Sequence, residues 1–274
     1  MEKPFFTKTL GPISAQLIDI LEKRGNTLFT LGEASAVYGH NRSKTSTFLS
    51  TLVKRGLLTR IKSGSYLILR RGQENAQLTN WPIIARELAS PHDYFISHYS
   101  AMRLHGMTTH PLFDVYITLS KRRRAQQIGN MTYHFLYIKP EHFWGSEFYW
   151  ATKQDKVYVS NIERTLLDGL ERPDLCGGIK EVARGIWVKQ KEIDWEKMTQ
   201  YAKHFHKKAA IKRLGFILDL LNLGIHCEHL VEFISSAKDY IFLDPNGPQE
   251  GKYLSRWHIK LNMNIEELKT SVWG

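Results

Sequence analysis

Apolar positions along the first seventy residues follow helical spacing and then switch to alternation. Leu17, Ile18 and Leu21 share one side of a predicted helix over 14–23, with Ser14 as its cap and Gly25 as its end. Thr30-Leu31-Gly32-Glu33 opens a second helix as a capping box, in which hydroxyl and carboxylate each satisfy a free backbone N–H. That helix runs to Tyr38, and Gly39-His40-Asn41 forms a three-residue turn. A third helix over 42–55 places Thr45, Phe48, Leu49, Leu52 and Val53 at i, i+3, i+4, i+7 and i+8, a single core stripe. Leu57 to Ile61 then reads as a strand, Lys62-Ser63-Gly64-Ser65 as a hairpin turn, and Tyr66 to Leu69 as the return strand. Helix, helix, turn, helix and hairpin in that order predict a winged helix-turn-helix over residues 1–72.

Beyond it, 70–77 is a polar stretch that marks a boundary, with a linker over 73–80 and a larger mixed α+β domain over 81–274. Pro82 sits in the first turn of a helix predicted to reach Leu88, and another is expected near 100–105. Aromatic and β-branched runs predict strands at 115–119, 132–138, 148–151 and 157–159, completing an α+β part over 81–160. Residues 161–274 read as mainly helical, at 162–170, 179–188, 195–204 and 211–221. Asp244-Pro245-Asn246-Gly247-Pro248 predicts a turn joining 240–243 to 257–261 in a short terminal hairpin.

Charge sharpens the first unit. The 274-residue chain carries a net +11, but residues 1–72 hold twelve Lys or Arg against four acids, and the remainder 26 against 23. The excess is gathered where phosphates would be met. The solvent side of the third helix reads Arg42, Ser43, Lys44, Ser46, Thr47, Ser50, Thr51 and Lys54, short, polar, basic and free of carboxylates. Such a face fits the major groove, so Arg42, Ser43, Lys44, Ser46 and Thr47 are the base-reading candidates, with Ser50 and Lys54 alongside. Arg60, Lys62 and Ser63 on the hairpin are the phosphate anchors. Lys121-Arg122-Arg123-Arg124, after the first predicted strand of the second domain, is either a solvated loop or a second basic patch for phosphate or an acidic partner.

Signs of other chemistry are sparse. Two cysteines, Cys176 and Cys227, exclude a disulfide framework, and neither His204-Phe205-His206 nor His226-Cys227-Glu228-His229 has a second cluster to complete a metal site. No cofactor or metal is expected. There is no phosphate-binding Gly-rich loop and no Gly-x-Ser-x-Gly elbow. Gly145-Ser146 lacks the downstream aspartates of a nucleotidyl transfer, Pro173-Asp174 lacks a nearby Glu-x-Lys, and Glu267-Leu268-Lys269 reads as a surface helix pair. Arg164 and Asp168, at i and i+4, read as a structural ion pair. The reading is therefore non-enzymatic. No signal peptide or run of eighteen apolar residues occurs, which predicts a cytoplasmic protein without a membrane partner.

Leu52-Val53-Lys54-Arg55-Gly56-Leu57-Leu58-Thr59-Arg60 with Ser63-Gly64-Ser65-Tyr66-Leu67, then Tyr94-Phe95-Ile96-Ser97, Ser100-Ala101-Met102-Arg103-Leu104-His105-Gly106 and Ile162-Glu163-Arg164-Thr165-Leu166-Leu167-Asp168, resemble the AbiEi-type antitoxins of bacterial type IV toxin-antitoxin (abortive infection) systems. Ser35 departs from the alanine usual in such helices. The resemblance covers nearly the whole chain. It implies an N-terminal domain that binds inverted repeats in double-stranded DNA at its own promoter and represses the operon. It also implies a C-terminal domain that neutralises a nucleotidyltransferase-like toxin. The alternatives are a solitary winged-helix regulator, a winged domain that docks a protein, and an enzyme with an unfamiliar site in 77–274.

Overall fold

A computed structural model describes residues 11–23, 27–69, 76–224 and 229–273. Gly25 at the expected helix end, Arg70-Arg71 at the expected boundary, and His226-Cys227-Glu228, whose run has no second cluster to complete a metal site, lie outside the described residues.

The chain opens with α1 (Pro12–Lys23), β1 (Leu28–Thr30), α2 (Leu31–Tyr38), α3 (Arg42–Lys54), β2 (Leu58–Lys62) and β3 (Ser65–Ile68). Ser14 is buried inside α1 rather than capping it, because the helix starts two residues earlier, at Pro12. The capping box forms: Thr30 Oγ1 accepts from Glu33 N at 3.2 Å, and Glu33 Oε2 accepts from Thr30 N at 2.7 Å. Gly39 closes α2 with φ +69°, a left-handed conformation that a side chain would strain. Tyr38 then stacks on Phe48 at 4.6 Å and pins α2 against α3. Leu17, Leu21, Phe29, Leu49, Leu52 and Leu58 close one core.

Strand β1 was not legible as a strand: three residues are too few to show alternation, and only their pairing with β3 defines them. The sheet order is β1-β3-β2, with a register shift between Arg60 and Lys62.

Helix α4 (Ala76–Ala89) starts five residues before Trp81, so residues 76–80 are helical rather than linker. It lies on one face of a six-stranded sheet of order β6-β7-β5-β4-β9-β8, built from β4 (Tyr94–Ile96), β5 (Asp114–Leu119), β6 (Gln126–Ile128), β7 (Met131–Tyr137), β8 (Ser146–Trp150) and β9 (Lys156–Ser160). The short strands β4 and β6 join the four read from composition. On the opposite face sit α5 (His98–Leu104) and α6 (Ile162–Glu171). The sheet is mixed: β5 runs parallel to β7, β4 parallel to β9, and the remaining neighbours are antiparallel.

Helices α7 (Ile179–Lys189), α8 (Trp195–Phe205), α9 (Lys208–Leu220), α10 (Leu230–Ile234) and α11 (Ile265–Trp273) gather around α6 in the largest core. The expected terminal hairpin is corrected. Strand β10 (Ile241–Phe242) pairs parallel with β12 (Ile259–Leu261), and the antiparallel partner of β12 is β11 (Lys252–Leu254). The segment between β10 and β12 carries its own strand, so the chain reverses twice and the central strand β12 runs the same way as β10 and against β11. The architecture is α+β throughout. None of the described helices is long and apolar enough to cross a membrane.

Candidate nucleic-acid interface

Thirteen residues make α3 a rod roughly 20 Å long. Asn41, placed in the turn by the sequence, is its N-cap, accepting from Lys44 N at 3.0 Å. An Asn three positions before a polar helical residue was the available signal. Thr45, Leu49 and Leu52 are buried with Phe48 and Val53 beside them, which fixes the opposite face outward. Arg42, Ser43, Lys44, Thr47, Ser50, Thr51 and Lys54 are exposed and Ser46 is half-buried. No carboxylate pairs with Arg42, Lys44 or Lys54 among the described residues. Thr47, Ser50 and Thr51 each donate to the carbonyl four residues back, at 3.2, 2.8 and 3.2 Å. In that state their outward oxygens offer lone pairs, as acceptors for amino groups rather than donors for phosphate.

The hairpin divides. Arg60 and Ser63 are exposed at its edge and tip. Gly64, at φ +78°, turns the tip back so that its carbonyl accepts from Leu31 N at 2.7 Å, tying the hairpin to the start of α2. Lys62 points the other way. Its Nζ lies 3.0 Å from Glu87 Oε1 and donates to Glu87 O at 2.7 Å, while Ser65 Oγ donates to the same carboxylate at 2.7 Å. Lys62 is thus committed to α4 rather than free as the phosphate anchor the sequence suggested. Alternation gave no sign of this, because the bulge between Arg60 and Lys62 resets which side Lys62 faces.

The carboxyl end of α4 gathers a second cation. Arg123 donates to Leu88 O and lies over Phe135 at 5.1 Å, and Arg122 lies over Tyr137 at 5.1 Å. Carbonyls at a helix C-terminus carry partial negative charge and attract cations. Lys121 and Arg124 remain exposed. Lys62 and Arg123, sixty-one positions apart, therefore dock within one turn of one helix end, which brings the 121–124 loop alongside the hairpin.

Elsewhere, the expected pair of α6 is present and buried. Arg164 Nε donates to Asp168 Oδ1 at 2.8 Å, with the two side chains 5% and 8% exposed. Arg164 also donates to Trp144 O at 3.0 Å and His142 O at 3.2 Å and stacks over Trp144 at 4.3 Å. Gly145 is glycine for packing: its φ is +74°, and a Cβ there would stand 3.0 Å from Arg164 Cβ. Asp174 is held by Arg172 at 2.7 Å, a bidentate contact that keeps its carboxyl below the usual range. Glu267 pairs with Lys180 at 3.0 Å. Among the described residues no three His, Cys, Asp or Glu side chains gather where a metal ion would be held.

The layered arrangement defines an α+β protein, and α3 presents Arg42, Lys44 and Lys54 exposed on one helix. No family model and no curated protein sequence matches the chain. Among solved structures it is similar to the RV2827C protein from Mycobacterium tuberculosis, with a TM-score of 0.73 and 11% sequence identity over 96% of each chain. That likeness is one of fold, and it spans both the α3 unit and the six-stranded sheet.

Proposed function

We propose that this chain is a sequence-specific DNA-binding transcriptional repressor acting as the antitoxin of a type IV toxin-antitoxin system, with α1 to β3 as a winged helix-turn-helix. One observation carries the DNA reading: a thirteen-residue helix buries one stripe and offers solvent a face of cations and hydroxyls without an acidic side chain. In the major groove, Arg42, Ser43, Lys44, Ser46 and Thr47 reach base edges from the first turns, with Ser50 and Lys54 along the same face. Arg60 and Ser63 meet the flanking phosphates. Lys121 and Arg124, exposed on the loop that Arg123 fastens to the end of α4, take the place first given to Lys62. The repressor acts at inverted repeats in its own promoter, and residues 81–274 neutralise a nucleotidyltransferase-like toxin. This second half rests on the resemblance of the 94–106 and 162–168 segments.

Footprinting on the promoter region of its own gene tests the DNA reading. A protected inverted repeat is expected. Lys44→Ala should cost about 1–3 kcal/mol of binding with relaxed base preference, whereas Lys121→Ala should weaken all sequences alike and lower the salt slope by about one ion. Absence of any protected operator refutes the repressor.

A further inference from the structure

Between the carboxyl end of β7 and the last turn of α6 lies a cavity of about 480 Å³ that the DNA reading does not use. Its size falls among small-ligand sites.

Two polar groups in it are unusual. His98, the first residue of α5, holds φ +52°, a region where a residue with a side chain persists only if its surroundings impose it. It is buried, and its Nδ1 lies 3.0 Å from Ser97 Oγ. Thr118 Oγ1 donates to that same Ser97 Oγ at 2.9 Å. Giving the Ser97 proton to Nδ1 satisfies both groups at once, and the imidazole then carries its own proton on Nε2. Burial lowers the imidazole pKa and keeps the ring neutral. The second group is Asp168. Oδ1 accepts from Arg164, while Oδ2 is buried with no hydrogen-bond partner. An orphaned buried acceptor is destabilising until something donates to it.

The walls are aromatic, from Phe135, Trp144 and Phe205, and the rim is cationic, from Lys139, Arg172 and Lys207. Lys139 and Lys207 are exposed lysines 3.7 and 3.6 Å from the exposed Glu141 and the half-buried Glu171, loose pairs of the kind that exchange partners at little cost.

We propose that this cavity binds a mononucleotide. Its base lies along the aromatic wall, with an N–H turned to Asp168 Oδ2 and a ring nitrogen or carbonyl to His98 Nε2, and its phosphate sits at Lys207 and Arg172. A donor beside an acceptor on one planar edge is what an unsatisfied carboxylate oxygen and a neighbouring neutral N–H together select. The assignment does not depend on DNA binding by α3.

Calorimetric titration of the full chain with the four ribonucleoside monophosphates, with ribose 5-phosphate and inorganic phosphate as controls, tests it. At least one nucleotide should bind with a Kd below about 1 mM and at least about tenfold more tightly than ribose 5-phosphate. His98→Asn, which tolerates the left-handed backbone, should weaken that binding by about tenfold without lowering the unfolding midpoint. Lys207→Ala, on the exposed rim, should weaken it by about threefold or more and supplies the reading if the His98 variant does not fold. The proposal is overturned if no nucleotide binds, if ribose 5-phosphate binds as well, or if affinity is unchanged in every folded variant.

Discussion

Lys62 and Lys44 carry the same charge and do different work. Lys62 is mostly covered, ion-paired with Glu87 at 3.0 Å and bonded to a helix-end carbonyl, so its removal leaves Glu87 and that carbonyl short of a donor. Lys62→Ala is therefore expected to cost about 1–3 kcal/mol of stability by urea denaturation. Lys44→Ala, on the solvent face, should stay within about 0.5 kcal/mol. Equal stability losses in the two variants would contradict this division. The hydroxyls of α3 make a finer distinction. Thr47, Ser50 and Thr51 spend their protons on their own helix, which in the proposed DNA complex suits them to bases presenting amino groups and leaves phosphate contacts to the lysines and arginines.

Helix α6 shows how much one element can commit. Its Arg164 touches a buried carboxylate and, in partly buried surroundings, two carbonyls and an indole. Asp168→Ala strands that guanidinium and is expected to cost about 3–5 kcal/mol, whereas Arg164→Met with Asp168→Leu should recover most of the loss. Thermal unfolding of the single and double variants decides, and a double variant no better than the single would show that the carbonyl contacts dominate. Helical spacing made this pair legible in the sequence, as it did the core stripe of α3 and the capping box of α2, because in each case successive partners lie three or four residues apart. What was not legible depends on distant partners. Strands β1, β4 and β6 are three residues each and are defined by their neighbours, β10 and β12 run parallel only because β11 intervenes, and α4 reaches back to Ala76 through a stretch with no apolar pattern. The proposed recognition face could be read residue by residue, but the diversion of Lys62 onto α4 and the cavity at His98 could not.

At the scale of the whole molecule, two histidines tie the fold to pH. Burial lowers the pKa of His98 and of His105, whose Nε2 lies 2.7 Å from Ser160 O. Both are neutral in the folded chain, while the unfolded chain takes up their protons as pH falls through its ordinary histidine value near 6.5. The unfolded state then binds more protons, and stability declines with acidity below that value. The urea midpoint should be lower at pH 5.5 than at pH 7.5, and His105→Gln should flatten the difference; a midpoint that rises on acidification would contradict the assignment. The seam between hairpin and α4 has a further consequence. Ile61 and Leu67 share a core with Trp81, Ile84 and Leu88, and Lys62 and Arg123 clasp the same helix end. Hairpin, α4 and sheet share this one packed seam, so a twist of the six-stranded sheet is carried through α4 as through an axle and sets the tilt of the hairpin from the far side of the molecule.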